Sequence, residues 1–519
     1  MEEGRVKKAT RNIAFSFIYK FFDVILAFVL RTVFIQTLGT EYLGLSGLFT
    51  GILNVLSLLE LGVGPAIAFL LYKPLAEHDN EKVAALMQLY RRVYAIIGIV
   101  VCGVGLALTP FLGKIINLPN NIDNLIVIYW LSVANTAVSY FLAYHRTVLT
   151  ADQRSDICSK IDIIFRIIRC AGLIGILFLT HNYIAYLSFE VCITLASNIV
   201  VTVIVNKKYS YINRIPHAVL DKEEKSKIVK YMSSTIFTKF GQTIVTSTDS
   251  ILISAFISTG ILGLYSNYNM IYSNLDIIIY LIFSSITASV GNYAVFKNND
   301  NSYALFKKLN MANYMIVCAV SVCLFCLASP FVSLWIGTEY CLSEFTVGVI
   351  VLNFYITANQ NSVANFMSAK GEMHYKNRYR ALIEGIVNIV FSIVLVKYTP
   401  LGITGVFIGT TVCFISGRMW MDATVLFKNW FGRPLKSYFF PYLFRFLLFV
   451  LICVVMKLLS VFIFAKMGIH IISWLIVAIS CIVFCGLVFW ALWRKTDEFK
   501  YIVSIAKRIV KKKNKKENC

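Results

Sequence analysis

The feature that most restricts this chain is a series of apolar runs, each about twenty residues long, recurring from residue 13 to residue 493. A helix of that length spans the ~30 Å hydrocarbon core of a bilayer, where only helices and closed barrels satisfy their own backbone N–H and C=O groups. The runs predict fourteen spans, at about 13–37, 43–71, 93–113, 124–145, 161–180, 183–205, 232–257, 261–291, 312–336, 345–367, 381–398, 401–422, 439–463 and 469–493. With 58% hydrophobic and only 15% charged residues, the composition is not that of a soluble protein. The expected fold is an all-α polytopic membrane protein. Met1–Arg11 is polar and leads into a full-length span, so no cleavable signal is expected.

Charge placement gives the expected orientation. The net charge is +22, and the basic residues cluster in short segments beside the spans. With the N-terminus in the cytoplasm, cytoplasmic segments collect thirty-eight Lys and Arg, and the opposite side holds Lys114, Lys397 and Lys466. This asymmetry predicts an even number of spans and two cytoplasmic termini. No nucleic-acid-binding motif accompanies the positive charge, so nucleic acid is not an expected partner.

The chain also repeats. "YLGLSGLF" at Tyr42–Phe49 answers "ILGLYSNY" at Ile261–Tyr268, and "LTPFLGKII" at Leu108–Ile116 answers "ASPFVSLWI" at Ala328–Ile336, at offsets of 219 and 220. "TADQRSDICSK" at Thr150–Lys160 matches "SAKGEMHYKNR" at Ser368–Arg378 in position and polarity. A near-constant offset predicts two copies of a six-helix unit. The expected domains are residues 1–205, a basic cytoplasmic linker 206–230, a second copy 231–425, two further spans in 426–493 and a basic tail 494–519. Asp79–Tyr94 reads as a short amphipathic interfacial helix capped by Asp79 or Asn80, with Val83, Leu86, Met87 and Tyr90 on one side. The tail is expected to lie against anionic headgroups.

The informative groups are charges inside the spans. Lys20, Asp23 and Arg31 fall within an arc of roughly 80° on the first helix, at about 100° per residue. An ionisable group in hydrocarbon costs several kcal/mol unless it meets protein or water, so this face is expected to line an interior cavity. The seventh span repeats the design with Lys239, Gln242, Thr246 and Asp249. Asp276 lies in the eighth span, and the tenth holds Asn353 and Gln360. These residues are the candidate substrate contacts; the alternative is that they pair with one another. Arg166 and Arg169 read as snorkelling side chains, and Glu60 and Glu190 are ambiguous.

No catalytic constellation accompanies them. The six histidines lack HExxH spacing, and no GxxxxGK[ST] is present. No cofactor is expected, which leaves a Na+ or H+ gradient, the membrane potential or the substrate's own gradient as the energy source. Of thirteen cysteines, ten lie in apolar spans, where they act as small hydrophobes; a metal site is not expected. Fixed cations in a low dielectric suit a phosphate or diphosphate, and amide and aromatic side chains suit sugar hydroxyls and faces. A lipid-linked saccharide carries both groups, and its tail can stay in the bilayer while the headgroup crosses.

"LGTEYLGLSGLF", "LLELGVGPAI", "LYKPLAEHDNEK" and "LYRRVYAIIG", within Leu38–Gly98, resemble the opening of bacterial polysaccharide (O-antigen and capsule repeat-unit) flippases. "SAKGEMHYKNRYRALIEGIVNIVFSIVL" and "LGITGVFIGT" resemble their second half. That family shares a superfamily with multidrug and toxin exporters and the lipid II flippase. The resemblance implies two six-helix lobes forming an inverted V, two further helices and alternating access. It implies translocation of an undecaprenyl-diphosphate-linked oligosaccharide to the outer leaflet of the bacterial plasma membrane, alongside a polysaccharide polymerase and glycosyltransferases. Arg31 and Lys239 fit the family's cationic-cavity theme best. The competing readings are an ion-coupled exporter of organic cations, for which Asp23, Asp249 and Asp276 could supply an acidic site, and a non-transporting partner of a glycosyltransferase complex.

Overall fold

In the computed structural model every described element of secondary structure is helical. The structure describes residues 2–57, 60, 63–117, 122–215, 243, 245, 247–296, 299–369, 379–504 and 507; for 2–19, 21, 65, 155, 284–296 and 369 it describes the backbone alone. Backbone proximity divides the chain into two compact units, Met1–Gly263 and Leu264–Cys519.

The first unit contains α1 (Glu2–Leu56), α2 (Val63–Ala76), α3 (Asn80–Leu108), α4 (Leu112–Ile115), α5 (Leu125–Leu142), α6 (His145–Ala151), α7 (Ser155–Thr180), α8 (Tyr183–Lys208), α9 (Tyr211–Arg214) and helical residues 247–256. The boundary between the units falls within α10 (Thr259–Phe296). The second unit continues with α11 (Asn299–Trp335), α12 (Glu344–Asn359), α13 (Asn361–Ala369), α14 (Arg380–Tyr398), α15 (Ile403–Phe414), α16 (Trp420–Leu426), α17 (Lys436–Met467) and α18 (Ile471–Trp493).

Among the described residues ten helices are long and apolar enough to cross a bilayer. The sequence predicts more because several spans are broken or merged. α1 carries the first span and part of the second, interrupted at Gly39, whose φ of 83° and ψ of −177° suit a residue without Cβ. The 43–71 span breaks between α1 and α2, and the 345–367 span breaks at Gln360 between α12 and α13. Most of the 232–257 span lies outside the described residues.

In the first unit, α2, α3 and α6 pack with residues of α8 and α9 around a buried core. Asp79 caps α3, accepting from the Lys82 N–H at 3.0 Å. The expected interfacial helix is instead the first turns of this continuous 29-residue helix. Val83, Leu86, Met87 and Tyr90 face the protein core because α2, α6 and α9 cover that side.

The second unit joins its helices by close backbone approach and aromatic packing. A Cβ on Gly409 of α15 would lie 2.7 Å from the Ser392 N of α14, so glycine permits this contact. Tyr355 stacks on Phe449 with centroids 4.0 Å apart. Two π-helical turns, Ile415–Met419 and Phe427–Phe431, flank α16. Outside, Phe440, Leu447, Leu451, Leu458, Ile472 and Ile482 are exposed along α17 and α18, an apolar surface that a bilayer would cover.

Candidate functional site

The site begins where a span fails to stay helical. α1 ends at Leu56 and α2 starts at Val63, with Glu60 in the gap. The Glu60 N–H donates to the Ser57 carbonyl at 3.0 Å, and its own carbonyl accepts from the Val63 N–H at 2.9 Å. Irregular backbone within a membrane protein is tolerated where protein or a polar cavity satisfies it, and broken helices mark binding sites for that reason.

A cavity of about 380 Å³ lies beside the break. Its walls are α1 (Ser46, Phe49, Thr50, Leu53, Asn54), the break (Ser57, Glu60), α5 (Ser132, Asn135, Thr136, Ser139, Tyr140) and α8 (Tyr183, Leu187, Glu190, Thr194). Only Phe49, Leu53 and Leu187 of these sixteen residues are wholly apolar. The volume falls in the range of small-molecule sites, about 300–1,000 Å³, but the lining is far more polar than usual.

Glu60 is bound by hydroxyls. Tyr94 donates to its Oε1 at 3.0 Å, and Tyr90 donates to the Tyr94 hydroxyl at 3.0 Å. The Tyr90 hydroxyl also lies 3.2 Å from Thr147 Oγ1 in α6. Glu190, on the other wall, pairs with Arg169 of α7.

That pair ends a string of charges on α1, α7 and α8. Asp23 accepts from Lys20 at 3.1 Å and from Arg166 at 2.6 Å. Arg31 interacts electrostatically with Tyr183 and Tyr186. One turn further along α1, the Phe34 ring meets both tyrosines edge-on, with centroids 5.6 and 5.3 Å apart. Among these six groups four are cations (Lys20, Arg31, Arg166, Arg169) and two are carboxylates (Asp23, Glu190), an excess of two positive charges.

The remaining candidates are spread along the chain. Lys239 and Gln242 fall outside the described residues, as does Thr246. Asp249 is buried in the first unit. In the second unit, Asn353 donates to the Phe407 carbonyl at 2.9 Å and accepts from Thr411 at 2.6 Å. Gln360 donates to the Tyr438 hydroxyl at 3.1 Å. Both amides thus bridge helices of that unit. Asp276 interacts electrostatically with Arg418. Arg418 lies 3.7 Å from Glu384, and Arg380 lies 2.9 Å from Asp422 and 3.6 Å from Glu384.

The sequence reads Arg166 and Arg169 as snorkelling groups at a span end and leaves Glu60 and Glu190 ambiguous. Asp162, Arg166 and Arg169 follow at i, i+4 and i+7 on one face of α7, a spacing that signals a charged stripe facing protein. Glu190 gave no local signal, since its partner lies twenty-one residues away on another helix. Among the described residues no three His, Cys, Asp or Glu side chains are grouped to hold a metal ion.

A bundle of lipid-length helices with a polar cavity defines a multi-pass membrane protein, and its fold is that of solved membrane transporters. Residues 9–287 match the sequence model of the polysaccharide biosynthesis protein family, and the chain belongs to that family. The lipid II flippase MurJ in an inward closed conformation is similar at a TM-score of 0.65 and 14% identity, covering 91% of this chain and 98% of that one. A multidrug resistance MATE family transporter of the MOP superfamily, in an inward-facing conformation, is similar at a TM-score of 0.58 and 15% identity, covering 80% and 96%. A MOP superfamily transporter from Pyrococcus furiosus is similar at 0.55 and 15%, covering 81% and 96%. No curated protein sequence matches the chain.

Proposed function

We propose that the protein is a flippase for a polyprenyl-diphosphate-linked oligosaccharide, moving the headgroup from the inner to the outer leaflet of a bacterial plasma membrane by alternating access. In this reading both termini are cytoplasmic, a Na+ or H+ gradient supplies the energy, and the polymerase and glycosyltransferases of surface polysaccharide assembly act beside it. Family membership and a fold shared with the lipid II flippase support it. The observation that carries it is the joining of two chemistries in one unit. The string on α1 and α7 holds an excess of two positive charges, suited to a diphosphate, and a hydroxyl- and amide-lined cavity suited to a sugar adjoins it through Arg169–Glu190. Arg31, with Lys20 and Asp23, is assigned to the diphosphate. Lys239, with Gln242 and Asp249, is its counterpart in the second copy, and Asp276, Asn353 and Gln360 complete the second copy's set.

Proteoliposomes containing a polyprenyl-diphosphate disaccharide test the proposal. Exposure of the sugar to an impermeant glycosidase should appear with the wild type and fall at least tenfold with Arg31→Ala. Equal exposure with and without protein rejects the flippase.

One observation favours a second reading. Among the described residues the charged groups lining the cavity are carboxylates, Glu60 and Glu190, as an exporter of organic cations would require. Gradient-driven ethidium efflux from the same proteoliposomes, without glycolipid exposure, would establish that reading instead.

A further inference from the structure

The cavity's hydrogen-bonding polarity is one-sided. Thr50 donates to the Ser46 carbonyl at 2.8 Å, Ser57 to Leu53 at 2.7 Å, and Ser132 to Ile128 at 3.0 Å. Thr136 donates to Ser132 at 3.2 Å and Ser139 to Thr136 at 2.7 Å. A hydroxyl has one proton; once that proton is given to its own helix, the oxygen offers an occupant only lone pairs. Of the tyrosines, Tyr140 turns its hydroxyl to Glu60, and the Tyr183 hydroxyl lies against Ser46.

Two further features point the same way. Asn135, on the α5 wall, has a buried Oδ1 with no hydrogen-bond partner, an acceptor awaiting a donor. Among the described residues the lining carries Glu60 and Glu190 and no Lys, Arg or His, and Asn54 and Asn135 supply its side-chain nitrogen donors. Glu190 is balanced by Arg169, whereas Glu60 faces the neutral hydroxyls of Tyr94 and Tyr140. The cavity is therefore rich in acceptors, with negative charge at the helix break.

Resting on the flippase reading above, we infer that this cavity selects a saccharide carrying a free amino group, and rejects one carrying a carboxylate at the same position. An ammonium offers three donors and a positive charge to Glu60 and the surrounding lone pairs. A neutral hexose offers hydroxyl donors without the charge. A uronate brings acceptors and a second negative charge beside Glu60, in a setting where like charges repel strongly. The diphosphate is held elsewhere, on the Lys20–Arg31–Arg166–Arg169 string, so the lipid's negative charge does not oppose this selectivity.

The test uses the full chain in lipid nanodiscs and three synthetic probes, farnesyl diphosphate bearing glucosamine, glucose or glucuronate, with binding read by intrinsic fluorescence. The glucosaminyl lipid should bind about tenfold more tightly than the glucosyl lipid, and the glucuronyl lipid about tenfold more weakly. Glu60→Gln should bring the glucosaminyl lipid down to the glucosyl value. If that variant does not fold, the wild type decides by pH: the preference should vanish above the sugar ammonium's pKa, about 8 by analogy with α-amino groups. Equal binding of all three probes overturns the inference and leaves the flippase reading standing. A preference unmoved by Glu60→Gln, or by deprotonating the probe, overturns the assignment to this cavity. Binding of none of the three overturns the flippase reading itself.

Discussion

Gly44 and Gly263 meet so closely that each occupies the space where the other's helix would place a side chain. A Cβ on Gly44 would lie 1.8 Å from the Thr259 carbonyl oxygen and 3.1 Å from the Gly263 N. A Cβ on Gly263 would lie 2.2 Å from the Thr40 carbonyl oxygen and 3.1 Å from the Gly44 N. The geometry is reciprocal, and Gly44–Gly263 and Thr40–Thr259 are each separated by 219 residues, the offset of the internal repeat. Equivalent positions of the repeat are thus in direct contact. Only glycine lets two helix backbones approach this closely.

Gly44→Leu should therefore force α1 and the start of α10 apart. We expect at least tenfold slower glycolipid exposure in proteoliposomes, with unchanged insertion into the membrane. A milder loss is expected for Gly44→Ala, graded with side-chain size. Wild-type rates for both variants would show that the contact is dispensable.

Hydrogen bonds beside this crossing tie the 115–117 turn to the chain before α10. Thr259 N–H donates to the Asn117 carbonyl at 2.9 Å, Asn117 N–H donates to Thr259 Oγ1 at 3.2 Å, and Ser254 Oγ lies 2.7 Å from the same hydroxyl. Thr259→Val keeps the shape and removes the hydroxyl, so the Asn117 N–H loses its protein acceptor at a cost of about 1 kcal/mol. Amide exchange at Asn117 should accelerate several-fold, while exchange in the middle of α3 stays unchanged.

Arg169→Ala would strand Glu190, whose side chain is 12% exposed. Removing one partner of a buried pair costs about 3–5 kcal/mol; Arg169 is itself 35% exposed, so the expected loss is about 2 kcal/mol. Adding Glu190→Gln should restore most of it, which denaturant unfolding of the single and double variants measures. Additive losses would mean that the pair does not couple.

Gly417 lies against Glu384, and a Cβ there would meet the Glu384 Cγ at 2.3 Å. Glu384 is 1% exposed and sits between Arg380 and Arg418. Gly417→Ala should destabilise the protein by about 1–3 kcal/mol through overpacking. Trimming Glu384 to Ala relieves the clash but removes the buried carboxylate between two guanidinium groups, of which Arg380 keeps Asp422 at 2.9 Å, so the double variant should remain less stable than the wild type. Thermal unfolding of the two variants separates the steric part from the electrostatic part.

What the sequence determined by itself is whatever a bilayer imposes one residue at a time. Run length against hydrocarbon thickness made the helical membrane fold legible. The 219-residue offset placed Gly44 and Gly263 at equivalent positions before their contact was visible. The Asp79 cap was equally readable, because its partner Lys82 N is three residues away. Which polar groups meet is a different quantity, set by each helix's rotation and by what packs against it. Asp23 was an evident neighbour of Lys20, but only tertiary structure brings Arg166 to its other oxygen. Glu60 and Glu190, 130 residues apart, share one cavity because α1 breaks where α5 and α8 lean on it. Asn353 and Gln360, which the sequence offers as site residues, bond to neighbouring helices that no local pattern names. A polar side chain inside a membrane protein must find a partner, and its own sequence says only that the need exists.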